Sequence, residues 1–122
     1  MLDLIIKNGQ CYIDGELKYV DVAVKDGKIQ QIGQISEEAK EKINSEGQTV
    51  LPGCIDTQTH FREPGSTDTE DLHSGSRAAI VGGITSVFEM PNTNPPTSTK
   101  TEFQRKLDLA KNRMYCNYAF YF

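Results

Sequence analysis

From residue 50 onward the chain alternates between two hydrophobic periodicities, and this alternation limits the fold more than any other feature. Val50, Leu51, Cys54 and Ile55 form an apolar run broken by Pro52-Gly53, which suits a short buried strand. Thr67-Asp-Thr-Glu70 has the form of a capping box with Thr67 as N-cap. Leu72, Ala79 and Ile80 can face inward along the helix that follows, which Gly82-Gly83 ends. Ile84 to Met90 is rich in β-branched and aromatic residues and reads as a strand. Pro91-Asn-Thr-Asn-Pro-Pro96 is a loop that no regular element can enter. Thr99-Lys-Thr-Glu102 offers a second capping box. Phe103, Leu107, Ala110 and Met114 follow at helical spacing, with Lys106, Lys111 and Arg113 assigned to the other side. Tyr115 to Phe122 reads as a third strand. The order strand-helix-strand-helix-strand predicts parallel strands with right-handed crossovers, compatible with a doubly wound sheet or a (β/α)8 barrel.

The preceding residues have a different character. Leu2, Leu4 and Ile6 alternate up to the turn pair Asn8-Gly9, and Cys11 to Ile13 forms a short strand before Asp14-Gly15. Val20, Val22 and Val24 alternate before Asp26-Gly27, and Lys28 to Ile32 follows, a strong hairpin signal. Residues 1–48 therefore read as a small antiparallel β lobe and its linker. Within them, residues 36–48 are charged, poor in large apolar side chains, and expected to be a solvated linker with at most one helical turn. Residues 49–122 form the second expected domain.

Composition excludes several function classes. A net charge of −4 argues against nucleic acid and anionic membranes as partners. No apolar run approaches the roughly 18 residues of a transmembrane helix, and Met1 to Gly9 carries no basic leader. Three widely spaced cysteines, Cys11, Cys54 and Cys116, fit free thiols in a reducing cytoplasm.

The chemistry gathers where the strands end. Asp56, Gln58, His60 and Arg62 fall at alternate positions, so an uninterrupted strand would aim all four to one side. Asn92 follows the second strand. His60 can give a metal a neutral nitrogen ligand, whereas Gln58 has only a neutral amide oxygen. Arg62 presents a fork that matches a carboxylate, and Asn92 adds a side-chain amide. Glu63 is assigned to the turn, His73 to a solvated helix surface, and nothing in its spacing singles out Glu89.

These residues carry a resemblance. Phe61-Arg-Glu-Pro-Gly65, with Glu70-Asp71, Gly75-Ser-Arg-Ala-Ala79, Gly82-Gly-Ile-Thr85 and Met90-Pro-Asn-Thr-Asn-Pro95, is similar to the dihydroorotases of the amidohydrolase superfamily. The resemblance implies the front part of a (β/α)8 barrel, about three of its eight strands, preceded by an incomplete β-sandwich lobe. It implies a zinc-dependent hydrolase, with one or two ions, that interconverts dihydroorotate and N-carbamoyl-aspartate in pyrimidine biosynthesis. His60 would be a metal ligand, Arg62 and Asn92 would hold the substrate carboxylate, and Asp56 would support the ligands from behind. The general base and the other ligands are expected beyond residue 122, so this stretch alone is expected to be inactive. The family pattern is His-x-His, and Gln58 stands at its first position, which weakens the metal site. The alternatives are a hydantoinase or allantoinase, and a catalytically impaired scaffold partnering aspartate transcarbamoylase. A homo-oligomer is expected.

Overall fold

The computed structural model describes residues 1–122, which divide into two compact units, Met1–Pro52 and Gly53–Phe122. In the first unit β1 (Leu2–Lys7) lies inside a four-stranded sheet of order β5-β4-β1-β6, with β4 at Asp21–Lys25, β5 at Lys28–Gly33 and β6 at Ala39–Asn44. Leu2, Ile5, Ala23 and Ile35 form its buried cluster. The hairpin between β4 and β5 turns on Asp26 and Gly27, both at positive φ, as a two-residue turn of this type requires. A second sheet contains β2 (Gln10–Ile13), β3 (Glu16–Tyr19) and β7 (Thr49–Val50) in the order β3-β2-β7.

Two expectations for this unit are corrected. It is not purely antiparallel, because β6 pairs parallel to β1 and β7 pairs parallel to β2. Residues 39–44 are not a linker but the edge strand β6, in register from Leu2↔Ala39 to Lys7↔Asn44. Its side chains are nearly all exposed, so the run Lys40-Glu-Lys42 looks like a solvated segment although its backbone completes a ladder.

The second unit has the expected alternation. β8 (Cys54–Thr59), α1 (Leu72–Val81), β9 (Ile84–Glu89), α2 (Lys100–Ala110) and β10 (Asn117–Phe120) follow one another, and the three strands form a parallel sheet of order β10-β9-β8. Phe61, Leu72, Val87, Ala110, Cys116 and Phe120 are the buried cluster between sheet and helices. Gly75 admits the Phe61 ring against α1, since a Cβ there would lie 2.5 Å from Phe61 Cδ1.

Helix starts follow capping chemistry, at one site displaced from the sequence reading. Thr99 caps α2, its side chain accepting from the Glu102 amide at 3.2 Å. The cap of α1 is Asp71, not Thr67: Asp71 Oδ1 accepts from the Ser74 amide at 2.6 Å, and Ser74 Oγ lies 3.2 Å from the Asp71 amide that donates to it. Residues 67–69 form a turn instead. Lys106 is also misassigned by the sequence, because it lies buried on the inner side of α2. Its spacing of three from Phe103 and four from Ala110 places it on the apolar stripe.

Candidate functional site at the strand ends

Because the strands are parallel, their C-terminal ends lie side by side and deliver His60 and the loop after Met90 to one place. Met90 donates its amide to the Thr59 carbonyl at 2.9 Å, which ties the two ends together. His60 Nδ1 lies 2.9 Å from Asn92 Oδ1. With the amide oxygen as acceptor, this contact calls for a proton on Nδ1 and leaves Nε2 outside it. The loop holding Asn92 is itself fastened by Thr97 N to Pro91 O at 2.9 Å and by Asn94 N to Pro64 O at 3.0 Å.

Among the sequence candidates, His60 and Asn92 are thus brought together. Arg62 lies just past His60, exposed and without an ion-pair partner, and is available to an anion. Gln58 is exposed at the end of β8. Asp56 does not share an uninterrupted strand face with His60. The pairing slips between Asp56↔Val87 and Thr59↔Glu89, three steps on β8 against two on β9. Asp56 Oδ1 accepts the Gln58 amide at 2.9 Å inside this slip, so the carboxylate stabilises the irregularity. His73 is exposed, with its ring 5.0 Å from that of Tyr115.

Two acidic groups to which the sequence reading gave no role in the site, Glu63 in the turn and Glu89 at the end of β9, are buried there. Glu63 is buried, and both its oxygens receive Arg113, Nη1 to Oε1 at 2.8 Å and Nη2 to Oε2 at 3.0 Å. Oε2 also accepts the Leu72 amide at 2.9 Å, so the turn residue anchors the start of α1. The hydrogen bonds to Glu63 push the Arg113 pKa above its ordinary value. Glu89, the last residue of β9, is fully buried beside Lys106, whose Nζ lies 2.6 Å from Oε2. The ammonium meets hydrogen-bond geometry toward the Met90 carbonyl at 3.3 Å, and neither Glu89 oxygen has an aligned donor. Burial raises the Glu89 pKa to about 7, against the opposing influence of Lys106 and His60, while Glu63 adds to the rise. A lysine at an apolar position of α2 was the available signal for this pair.

No group of three His, Cys, Asp or Glu side chains converges in the chain. His60 fits a metal as a single ligand: one nitrogen is held by an acceptor and the other is free, the arrangement that orients coordinating histidines. An open groove of about 890 Å³ in the first unit is lined by Lys7, Asp21 and Glu46 among others, and no candidate residue lines it.

Comparison with known proteins agrees with this geometry. Residues 49–122 match the model of the amidohydrolase family. Allantoinase of Escherichia coli O1:K1 / APEC is 45% identical over 113 residues, which are 92% of this chain and 25% of that protein. The L-hydantoinase (dihydropyrimidinase) of Arthrobacter aurescens superposes with a TM-score of 0.85 at 34% identity, over 99% of this chain and 28% of the other. N-acyl-D-glutamate deacylase of Bordetella bronchiseptica, solved with zinc and a phosphonate inhibitor, superposes with a TM-score of 0.58 at 26% identity, over 72% of this chain and 18% of the other. The chain spans about a quarter of the length of the allantoinase and hydantoinase it matches. A family match over more than half of the chain, on the strands that carry His60 and Asn92, makes this chain a member of the amidohydrolase family.

Proposed function

We propose that the chain is the front part of a metal-dependent hydrolase that opens a cyclic amide ring of the allantoin or hydantoin class, built on a (β/α)8 barrel. The observation that carries this reading is the His60–Asn92 hydrogen bond at adjacent parallel strand ends, where such a barrel places its chemistry. The named relatives, an allantoinase and a hydantoinase, favour these rings over dihydroorotate.

In this reading His60 holds a metal, such as the zinc of the deacylase relative, through Nε2, while Asn92 fixes its tautomer. A bound metal of this kind supplies an activated water at neutral pH and polarises a carbonyl. Water adds across the ring amide, the C–N bond breaks, and the product carries a new carboxylate and a new N–H. In this reading Arg62, exposed and unpaired, receives that carboxylate in a bidentate grip. Asn92 serves the imidazole through Oδ1, and its Nδ2 is left to donate to a substrate oxygen. The same Arg62 is the observation that keeps dihydroorotate as a second reading, because that ring already bears a carboxylate.

The test is turnover by the complete gene product loaded with zinc, offered allantoin, hydantoin, a dihydropyrimidine and dihydroorotate. Ring opening of allantoin or hydantoin is expected, and His60→Ala is expected to lower bound zinc together with activity. Preference for dihydroorotate would establish the second reading. Zinc bound with no cyclic amide opened would refute the enzyme, and zinc content untouched by His60→Ala would refute the ligand.

A further inference from the structure

Helix α2 turns one cation inward, toward the strand ends. Lys106 is 1% exposed and Glu89 0% exposed, and the Lys106 ammonium also sits 5.4 Å from the centre of the Phe120 ring. A buried ion pair is weak evidence for stability, because desolvation offsets much of the attraction between the charges. Its location is more informative. Lys106 holds two consecutive residues, the Glu89 carboxylate at 2.6 Å and the Met90 carbonyl at 3.3 Å. The Met90 amide is bonded to Thr59, the residue before His60, and Asn92 lies two residues further along. One ammonium therefore spans the junction between the strand end that carries His60 and the loop that carries Asn92.

The geometry points to Lys106 as a positioning residue that, through Glu89 and the Met90 carbonyl, sets the Asn92 amide against His60 Nδ1 and so determines which imidazole nitrogen is free. This rests on the proposed use of His60 as a ligand and adds the source of its orientation. An apolar chain at 106 can still pack on Phe120, but it cannot hold the Met90 carbonyl. A purely structural lysine would affect the melting temperature and leave the imidazole tautomer alone.

The tautomer can be read directly in the complete gene product, where loss of a signal in His60→Ala identifies His60 and the exposed His73 is an internal reference. Long-range ¹H–¹⁵N spectra of the complete gene product, metal-free and at a pH where imidazole is neutral, are expected to place the His60 proton on Nδ1. Asn92→Ala is expected to abolish that preference and to calibrate its loss. Lys106→Met leaves Glu89 buried without its cation, so the deciding variant is the neutral pair Glu89→Gln/Lys106→Met, which buries no ion. This double variant is expected to fold and to show His60 with the same tautomer mixture as His73. A folded double variant that keeps the proton on Nδ1 would overturn the positioning role and leave the ligand reading intact. A wild-type His60 protonated on Nε2 would overturn the ligand reading itself.

Discussion

Arg113 closes both terminal nitrogens on the carboxylate of Glu63, fifty residues earlier, at 2.8 and 3.0 Å. The contact joins the loop after His60 to the chain beyond α2, and Glu63 passes the constraint on through the Leu72 amide. Arg113→Ala leaves a buried carboxylate without its cation and is expected to cost about 2–3 kcal/mol, below the upper range for buried pairs because Arg113 is partly exposed. Denaturant unfolding measures it, and a loss under about 0.5 kcal/mol would place the pair among ordinary surface contacts.

Gly75 tests packing beside the site. In an exposed helix, Gly→Ala stabilises by up to about 1 kcal/mol. Here the added methyl meets the Phe61 ring at 2.5 Å, so overpacking should prevail, with a net loss of about 1–3 kcal/mol in Gly75→Ala. A more stable variant would show that Phe61 has room to move.

The displaced helix start makes a paired prediction. Asp71→Ala removes the N-cap and should cost about 1 kcal/mol, whereas Thr67→Ala should be close to neutral. Thermal melts of the two variants decide which residue begins α1.

Glu89 predicts a pH dependence. Its folded pKa of about 7 lies above the ordinary 4.5, so the folded state binds the extra proton between these values. Stability is therefore fully present below about pH 4.5 and falls as pH rises toward 7, by about 3 kcal/mol if the other groups are unchanged. Lys106, His60 and Glu63 are the titratable neighbours that modulate it. Glu89→Gln should remove this component, so the wild type should lose stability relative to the variant between pH 5 and 8. Parallel pH profiles would count against a buried, protonatable Glu89.

Gln58→His restores a second imidazole near His60. It is expected to tighten zinc binding by more than the roughly tenfold that outer partners of a metal site contribute. Calorimetric titration of the complete gene product checks this, and unchanged affinity would mean that position 58 does not face the metal.

Local signals in the sequence proved readable, and signals that depend on distant partners did not. The Asp26-Gly27 turn, the Thr99 cap and the three parallel strands all follow from neighbouring residues, which explains why they could be recognised. Strand β6 could not, since an exposed edge strand has charged side chains and its ladder to β1 spans more than thirty residues. At α1, Thr67 and Asp71 offer equivalent capping oxygens, and only the Ser74 contacts separate them. The slip between Asp56 and Thr59 interrupts an alternation that looks continuous in one dimension. His60, Arg62 and Asn92 were visible as chemistry, but the Asn92 contact with His60 and the Lys106–Glu89 pair are products of the fold.

The parallel pairing of β6 with β1 has a further consequence, for the order in which the chain can be assembled. β1 can meet β4 once residue 25 is available, but its other edge stays open until residues 39–44 arrive, and β2 waits for Thr49 and Val50. The first sheet is therefore closed by the strand that comes last among its own four. A nick at the exposed residues 36–38 would separate β6 covalently from the strands made before it, leaving only the ladder and contacts such as Lys40 with Asp3 to hold it there. For its small size the unit folds through long-range closure, so its integrity depends on an edge strand that resembles a tether.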